Sequence, residues 1–173
     1  MQAVIVGWRE WAALPDLGIS RLPAKLDTGA HTCALHAVDI EPMDTTVGAF
    51  VRFRLDEGGP TMLHRLHCWR SVRDAGGHCS LRPVIRTELS LAGRTLSVDI
   101  CLADRSRMKH RLIIGRRVLR RGFAVNCGRE HLHAASVPLS AHPAAGLMGG
   151  IRFKSDEADL PRLARAGAAG VRR

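Results

Sequence analysis

The sequence predicts a mainly β domain in which short strands close into a barrel or a sandwich. The first observation is a series of short segments in which apolar and polar residues alternate, as half-buried strands require. The second is the set of turn signals EGGP, AGG and LAGRT that separate these segments. The third is that no helix long enough for a parallel crossover lies between them, which disfavours a sheet built from βαβ units.

Seven strands are predicted, followed by one short helix. FVRFRL shows the alternation most clearly, because Phe50, Arg52 and Arg54 face one side of a strand while the residues between them face the other. A glycine then precedes RRVLRR, which predicts one or two helical turns over 116–121. In chain order, the predicted strands cover residues 3–8, 21–27, 50–55, 63–72, 80–91, 95–103 and 110–115.

The folded domain is predicted to cover residues 1–133. From about residue 134 the sequence is rich in alanine, glycine and proline and has no periodic apolar pattern. We therefore expect 134–173 to be a mobile, low-complexity tail with one short helical stretch over 156–166. The 46% apolar composition is sufficient for the core of one domain.

Charge and cysteine content indicate an anionic partner and a reducing compartment. The chain carries 26 Lys and Arg against 16 Asp and Glu, a net charge of +10, and only three of the cations are lysines. Guanidinium groups bind carboxylates and phosphates through paired hydrogen bonds, although GC-rich coding explains an arginine bias equally well. The five cysteines are scattered without a CxxC pair, and no run of 18 apolar residues or export signal occurs. We expect a soluble, cytoplasmic protein with no membrane contact.

The segment KLDTGAHT places a carboxylate where a predicted strand meets a turn. Gly29 permits the turn, and Asp27 is left at the strand end with its side chain open to a cleft. A carboxylate activates water when a second one lies within about 3 Å, because the pair then shares one proton. The chain has no second DTG or DSG, so a two-fold homodimer would supply the twin, with Thr28 next to the axis. Asp27 is therefore the candidate catalytic residue.

The order of three motifs is similar to that of the retropepsins, a family of aspartic peptidases. DTGA at 27–30, a glycine-containing hairpin at 75–77 and LIIGR at 112–116 correspond to the aspartate loop, the flap and the Gly-Arg segment. The chain resembles more closely a bacterial branch often labelled ATP-dependent zinc proteases, over about residues 4–132. The segments that carry this resemblance are GWREWAALPDLGI (7–19), AKLDTGAHTCALHA (24–37), VRF (51–53), RSVRDAGGHCSLRPVI (70–85) and DRSRMKHRLIIGR (104–116).

The resemblance implies a retropepsin-like half-barrel, closed or partly open, with a flap hairpin at Gly76 and Gly77 and one short C-terminal helix. It also implies a homodimeric aspartic endopeptidase that cuts acidic, α-linked polyglutamate. A functional link to the ATP-grasp glutamate ligase that makes this polymer follows from the same resemblance. Two departures from the branch, His31 in place of a cation and a flap without the usual two serines and acid, affect flap contacts and substrate preference.

The resemblance also assigns roles around the aspartate. Thr28, Gly29 and Ala30 would support the catalytic loop. Gly115 would pack beneath that loop, and Arg116 would tie the loop to the dimer core. A strand end followed by a helix with a surface arginine is the alternative for the last two residues.

Seven cations are candidates for binding an acidic substrate. Some flank the flap, some alternate with apolar residues along a strand, and others lie in the loop before LIIGR. A cleft lined by fixed cations would attract and align a polyanion, whereas a solvated face is the alternative for each of them. They are Arg52, Arg54, Arg70, Arg73, Arg82, Arg105 and Lys109.

Two other functions stay open, an arginine-rich nucleic-acid-binding β-barrel and a non-catalytic binder of acidic peptides. Four Phe, three Trp and no Tyr offer few stacking surfaces for bases, so nucleic acid is the less favoured partner. No HExxH occurs, and His64, His67 and Cys68 on one strand would point to different faces, so we expect no metal. Since no phosphate-binding glycine loop ending in GKS or GKT occurs, we expect no cofactor.

Overall fold

The computed structural model of the chain describes residues 2–73 and 76–133. These residues form ten strands, a 3₁₀ turn at Pro15–Leu17 and one four-residue helix. The predicted tail at 134–173, with its helical stretch, lies outside the described residues. In chain order the elements are β1 (Val4–Leu14), β2 (Ile19–Asp27), β3 (Cys33–His36), β4 (Val38–Thr45), β5 (Gly48–Arg54), β6 (Met62–Arg73), β7 (Cys79–Leu91), β8 (Arg94–Ala103), β9 (Leu112–Gly115), α1 (Arg116–Leu119) and β10 (Phe123–Glu130).

Six of the strands form a closed ring in the order β1, β2, β9, β3, β8 and β7. The closing contact between β1 and β7 is short, since it pairs only Ala12 with Leu91 and Ala13 with Ser90. β10 lies beside β1 outside the ring, and β6, β5 and β4 continue the sheet beyond β7. The predicted mainly β fold, a closed or partly open barrel with one short helix, is confirmed.

Three pairs of neighbouring strands run parallel although no crossover helix joins them. They are β1 with β10, β2 with β9 and β3 with β8, and each connection passes through other strands. The β2–β9 pair places Asp27 beside Gly115. Parallel pairing thus brings the end of DTGA-containing β2 and the end of the LIIG strand to the same edge of the barrel.

The core fills the inside of the ring. Every ring strand contributes buried aliphatic side chains, including Leu14, Leu26, Leu35, Ile85 and Ile114. Each such side chain stabilises the fold by about 1.5–3 kcal/mol relative to full exposure. The strands are therefore held together by a shared apolar interior, and the loops at their ends are left to carry polar groups.

A buried carboxylate fixes the chain after β10. Glu10 is fully buried on β1, and it accepts hydrogen bonds from the N–H groups of Gly7, Leu132 and His133 at 2.7, 2.9 and 3.2 Å. Since three donors replace its lost water, the cost of burying the charge is largely offset. The role of Glu10 is therefore structural and not catalytic.

The sequence pattern misses three strands. All four residues of β3 are buried, so no alternation marks it, whereas β4 contains a proline and β10 is exposed along most of its length. The predicted first strand is too short, because β1 continues to Leu14, and the predicted helix is too long, because α1 ends at Leu119. Phe50 and Arg52 lie on the same face of β5, as predicted, because the pairing of β5 with β6 is regular there, although Phe50 is only 9% exposed.

Candidate active site

Asp27 is the last residue of β2, and its carboxylate organises the loop that follows. Oδ1 accepts hydrogen bonds from the N–H groups of Gly29 and Ala30, at 3.0 and 3.2 Å. The side chain stays 22% exposed, and Thr28 and Gly29 are exposed as well. The loop therefore presents a partly open carboxylate at the edge of the barrel, with one oxygen fixed by backbone donors.

Gly115 and the residues after it hold this loop from beneath. A Cβ at Gly115 would lie 2.5 Å from the carbonyl oxygen of Thr32, a distance that no side chain allows. The N–H group of Arg116 donates to the carbonyl oxygen of Ala30 at 2.9 Å. The side chain of Arg116 is exposed and forms no ion pair with a described residue, so its contact with the loop is through the backbone.

Lys25 lies against the catalytic candidate, a contact that sequence reasoning missed. Its Nζ donates to Oδ2 of Asp27 at 2.9 Å. Burial raises the pKa of Asp27, but the hydrogen bond and charge of Lys25, with the two loop N–H groups, outweigh burial and hold that pKa below its ordinary value. The signal was present in the sequence, since residues two apart on a strand share a face.

Arg105 brings a second cation toward Asp27 from the loop between β8 and β9. Its Nε donates to the carbonyl oxygen of His110 at 3.1 Å, and its backbone N–H donates to Nδ1 of His36 at 2.9 Å. Burial lowers the pKa of Arg105, the charge of Arg82 lowers it further, and the charge of Asp27 opposes both. The flap cation Arg82 and the loop cation Arg105 therefore act on the same region as Asp27.

His36 and His110 line the base of this loop. His36 is 6% exposed, and burial together with the charge of Arg111 lowers its pKa, so Nδ1 is free to accept the bond from Arg105. Burial lowers the pKa of His110, and the charges of Lys109 and Lys25 lower it further. Neutral imidazoles thus accompany the cations on this side of the site.

Three predicted substrate-binding arginines already have acidic partners. Arg52 bonds to Glu41 and Arg54 lies 3.1 Å from Asp39, both across the β4–β5 pair. Arg70 contacts Asp99 at 3.5 Å. The charges of these three arginines are therefore neutralised by acids of the same chain, and their described ion pairs do not involve Asp27. Exposed Lys109 and half-buried Arg82 are better placed, since they act on His110 and Arg105.

The flap is the hairpin between β6 and β7. Its last described pair joins Arg73 to Cys79, and residues 74–75 at the tip lie outside the described part. Gly76 and Gly77 are exposed, and Gly77 has φ +84, which favours glycine. Arg82 lies on the β7 strand of this hairpin, so the flap contributes one of the cations around Asp27.

Residues 2–73 and 76–133 contain no group of three or more His, Cys, Asp or Glu side chains arranged to hold a metal ion. His64 bonds to the carbonyl oxygen of Arg65, and Nε2 of His67 lies 2.9 Å from Arg86. The same ranges contain no helix that is long and apolar enough to span a membrane.

Comparison with known proteins identifies relatives over most of the chain. Residues 5–135 match the RimB-like family, described as retropepsin-like aspartic endopeptidase RimB. The chain is 31% identical over 121 residues to a protein of Shewanella pealeana and 32% identical over 124 residues to one of Desulfotalea psychrophila, both named "Probable alpha-L-glutamate ligase". Each match covers 66% of this chain but 26% of the relative, so the chain spans about a quarter of the length of these proteins.

A solved structure agrees with the fold. A Legionella pneumophila protein of unknown function has a TM-score of 0.62 and 26% identity, over 75% of this chain and 97% of that one. The family match includes the Asp27 loop, the flap and the Gly115 segment whose packing is described above. The chain belongs to the RimB-like family of retropepsin-like aspartic endopeptidases.

Proposed function

We propose that the chain is one half of a homodimeric aspartic endopeptidase with Asp27 as its catalytic residue. The observation that carries this proposal is the partly exposed carboxylate of Asp27 in a loop packed on Gly115. Hydrolysis by this class uses two carboxylates, and the DTG motif occurs once in the chain. A two-fold axis beside the exposed Thr28 would bring the Asp27 of a second copy next to the first.

In this mechanism the two Asp27 carboxyl groups share one proton and activate a water molecule. The ionised carboxylate takes a proton from water, whose oxygen bonds to the scissile carbonyl carbon, while the protonated carboxyl gives its proton to the carbonyl oxygen. The C–N bond of the tetrahedral intermediate then breaks. The leaving nitrogen takes a proton from one carboxyl as a hydroxyl of the intermediate returns one to the other, so the pair regains its single proton.

The proposed substrate is an acidic peptide of the α-linked polyglutamate type. Lys25, Arg82 and Arg105 act on Asp27 or on one another, so the cleft edge is cationic. A chain with one negative charge per residue would be attracted and aligned by these groups. The net charge of +10 supports the same class of substrate.

The names of the relatives support a link to glutamate polymers. The Shewanella and Desulfotalea proteins are named as probable α-L-glutamate ligases. The segment that resembles this chain makes up 26% of each of them. We propose that the chain acts on the product of such an ATP-grasp ligase rather than as a ligase. Its five cysteines are free, which fits a reducing compartment, and we place the reaction in the cytoplasm.

Cleavage of defined oligoglutamates by the full chain tests the proposal. Asp27→Asn keeps the shape of the side chain and removes its charge, so we expect cleavage to fall by at least about three orders of magnitude while the dimer persists in analytical ultracentrifugation. Asp44→Asn, the same change at an exposed position on β4, is the matched control and should cleave at the wild-type rate.

Two results would contradict the proposal. Cleavage by Asp27→Asn at the wild-type rate would show that Asp27 is not the catalytic residue. Binding of oligoglutamate by the wild-type chain without cleavage, across the acidic and neutral pH range, would identify a non-catalytic binder of acidic peptides instead.

A further inference from the structure

We propose that Lys25 selects an acidic side chain next to the scissile bond, by exchanging its ion pair with Asp27 for one with the substrate carboxylate. The inference rests on the proposed function and names the group that recognises the substrate at the reacting bond. Lys25 would then be a specificity-determining residue that also governs the charge state of the catalytic carboxylate.

The geometry places the Lys25 ammonium directly beside the carboxylate that is the proposed catalytic group. Lys25 and Asp27 are two residues apart on β2 and share a face. Nζ bonds to Oδ2, whereas the loop N–H groups bond to Oδ1. A scissile carbonyl would reach Asp27 through one water molecule, and neighbouring residues of an extended peptide are only about 3.3 Å apart. A glutamate carboxylate beside the scissile bond therefore comes within reach of Nζ.

Strand pairing does not explain why residue 25 is a lysine. The residue opposite Lys25 on β1 is Arg9, and like charges directly opposite in an antiparallel pair are destabilising. Arg9 bonds to Glu130, so Asp27 is the ion-pair partner of Lys25 among the described residues. The Lys25 side chain is 39% exposed, and an ion pair this open contributes little to folding. A lysine that faces a like charge and gains little from its ion pair fits a role in binding an anion.

The ion pair also controls the protonation of the proposed dyad. Two carboxylates that share a proton need one of them to be neutral, yet an ammonium beside each carboxylate favours ionisation of both. A substrate carboxylate that draws Nζ away from Asp27 would restore the shared proton. An acidic substrate would therefore bind and activate the site in one step, whereas a neutral peptide would be cleaved more slowly because the ammonium stays on Asp27.

The other charged and titratable groups that face this region do not compete for the ammonium. They come from β1, from the β7 strand of the flap and from the loop before β9, and each is a cation or an imidazole. They are Arg9, Arg82, Arg105, Lys109 and His110. Glu130 on β10 is an acid beside them, but it is already paired with Arg9. The acid that takes Lys25 from Asp27 must therefore come from outside this group, as a substrate side chain would.

Oligoglutamate and oligoglutamine of equal length test the selection. Lys25→Met keeps the length of the side chain and removes the charge, so kcat/KM for oligoglutamate is expected to fall at least about tenfold relative to that for oligoglutamine. Arg120→Met removes an exposed cation at the end of α1 and should leave this ratio unchanged. Equal losses on both peptides would indicate a structural role and overturn the proposal.

The pH profile tests the exchange with Asp27. Removing the ammonium raises the pKa of the Asp27 pair, so the alkaline limb of kcat/KM for oligoglutamine should move to higher pH by about one unit in Lys25→Met. A profile that superimposes on that of the wild type would overturn the exchange.

A binding measurement separates this inference from the proposed function, because it needs no cleavage. Asp27→Asn frees the ammonium, so calorimetry should show oligoglutamate bound at least about threefold more tightly than by the wild type. Lys25→Met combined with Asp27→Asn should lose this gain. Absence of the gain would overturn the Lys25 inference even if wild-type cleavage is observed, whereas absence of wild-type cleavage would overturn only the proposed function.

Discussion

His36 fixes one end of the loop that carries Arg105. Its Nδ1 accepts the backbone N–H of Arg105, and the ring is almost completely buried. Because the imidazole must be neutral to accept this bond, the position of the loop depends on the protonation of His36. A residue outside the DTGA motif thus controls the placement of a cation that acts on Asp27.

Substitution of His36 tests this dependence. His36→Leu leaves the Arg105 N–H without its acceptor and should lower the free energy of unfolding by about 1–3 kcal/mol at pH 7.5. His36→Asn keeps an acceptor in the place of Nδ1 and should lose less. Urea unfolding measures both. Equal losses in the two variants would mean that ring packing, and not the hydrogen bond, is the contribution of His36.

The same residue predicts a dependence on pH. The pKa of His36 in the folded chain lies below its ordinary value of 6.5, chiefly because of burial. Its contribution to stability is therefore complete above about pH 6.5 and is lost as the pH falls through the lower folded value. His36→Asn should remove this part of the pH dependence from unfolding curves between pH 7.5 and 5, and a variant with an unchanged curve would contradict the assignment.

Gly115 is constrained by contact and not by its backbone angles. Its φ of −89 is open to any residue, but a Cβ would lie 2.5 Å from the Thr32 carbonyl oxygen. Gly115→Ala should therefore destabilise the chain by about 1–3 kcal/mol and displace the Asp27 loop. Gly128→Ala is the control, since a Cβ there meets Asn126 Oδ1 at an ordinary 3.5 Å. Thermal unfolding of both variants checks the difference, and equal midpoints would contradict the packing.

At the scale of the elements, Asp99 joins three strands by electrostatics. It lies on β8, Arg86 on β7 is 2.9 Å away, and Arg70 and His67 on β6 are 3.5 and 3.8 Å away. The side chain is 15% exposed, so solvent screens these contacts only in part. This cluster explains why Arg70 is not available to a substrate, and it ties the flap strands to the barrel.

Asp99→Asn measures the strength of this cluster. Burial raises the pKa of Asp99, but the bond and charge of Arg86 hold it below the ordinary 3.8, so its stabilisation is present above about pH 3.8 and is lost as the pH falls through the folded value. We expect a loss of about 1–3 kcal/mol at pH 7 that shrinks toward pH 3. The same substitution at exposed Asp44 should cost little. A loss independent of pH would point to packing instead of charge.

At the scale of the whole molecule, the excess of cations predicts an effect of salt on catalysis. With a net charge of +10, attraction of a polyanion should weaken as ionic strength rises, since the screening length falls from about 10 Å at 0.1 M to about 3 Å at 1 M. KM for oligoglutamate should increase several-fold over that range, while KM for oligoglutamine stays nearly constant. Equal changes for the two peptides would show that long-range charge attraction does not contribute to substrate recognition.

The mainly β fold and the family motifs could be predicted because they depend on local patterns. Alternation along FVRFRL and the turn residues of LAGRT act over a few positions, and the Ala92-Gly93 turn between β7 and β8 has the positive φ angles that such a hairpin requires. β3 could not be predicted in this way, because a strand buried on both faces shows no alternation. Lys25 was overlooked although its spacing from Asp27 is a local signal.

The sequence by itself determined the class of fold, the family and the single DTG carboxylate around which the site is built. Only the tertiary structure decided that Gly115 packs on Thr32, that Arg82 and Arg105 act on one region, and that Arg52, Arg54 and Arg70 are paired with acids. The physical reason is that periodicity specifies the face on which a side chain lies but not which strand is its neighbour. The parallel pairing of β2 with β9 joins distant parts of the chain, and that pairing is fixed by the packing of the whole barrel.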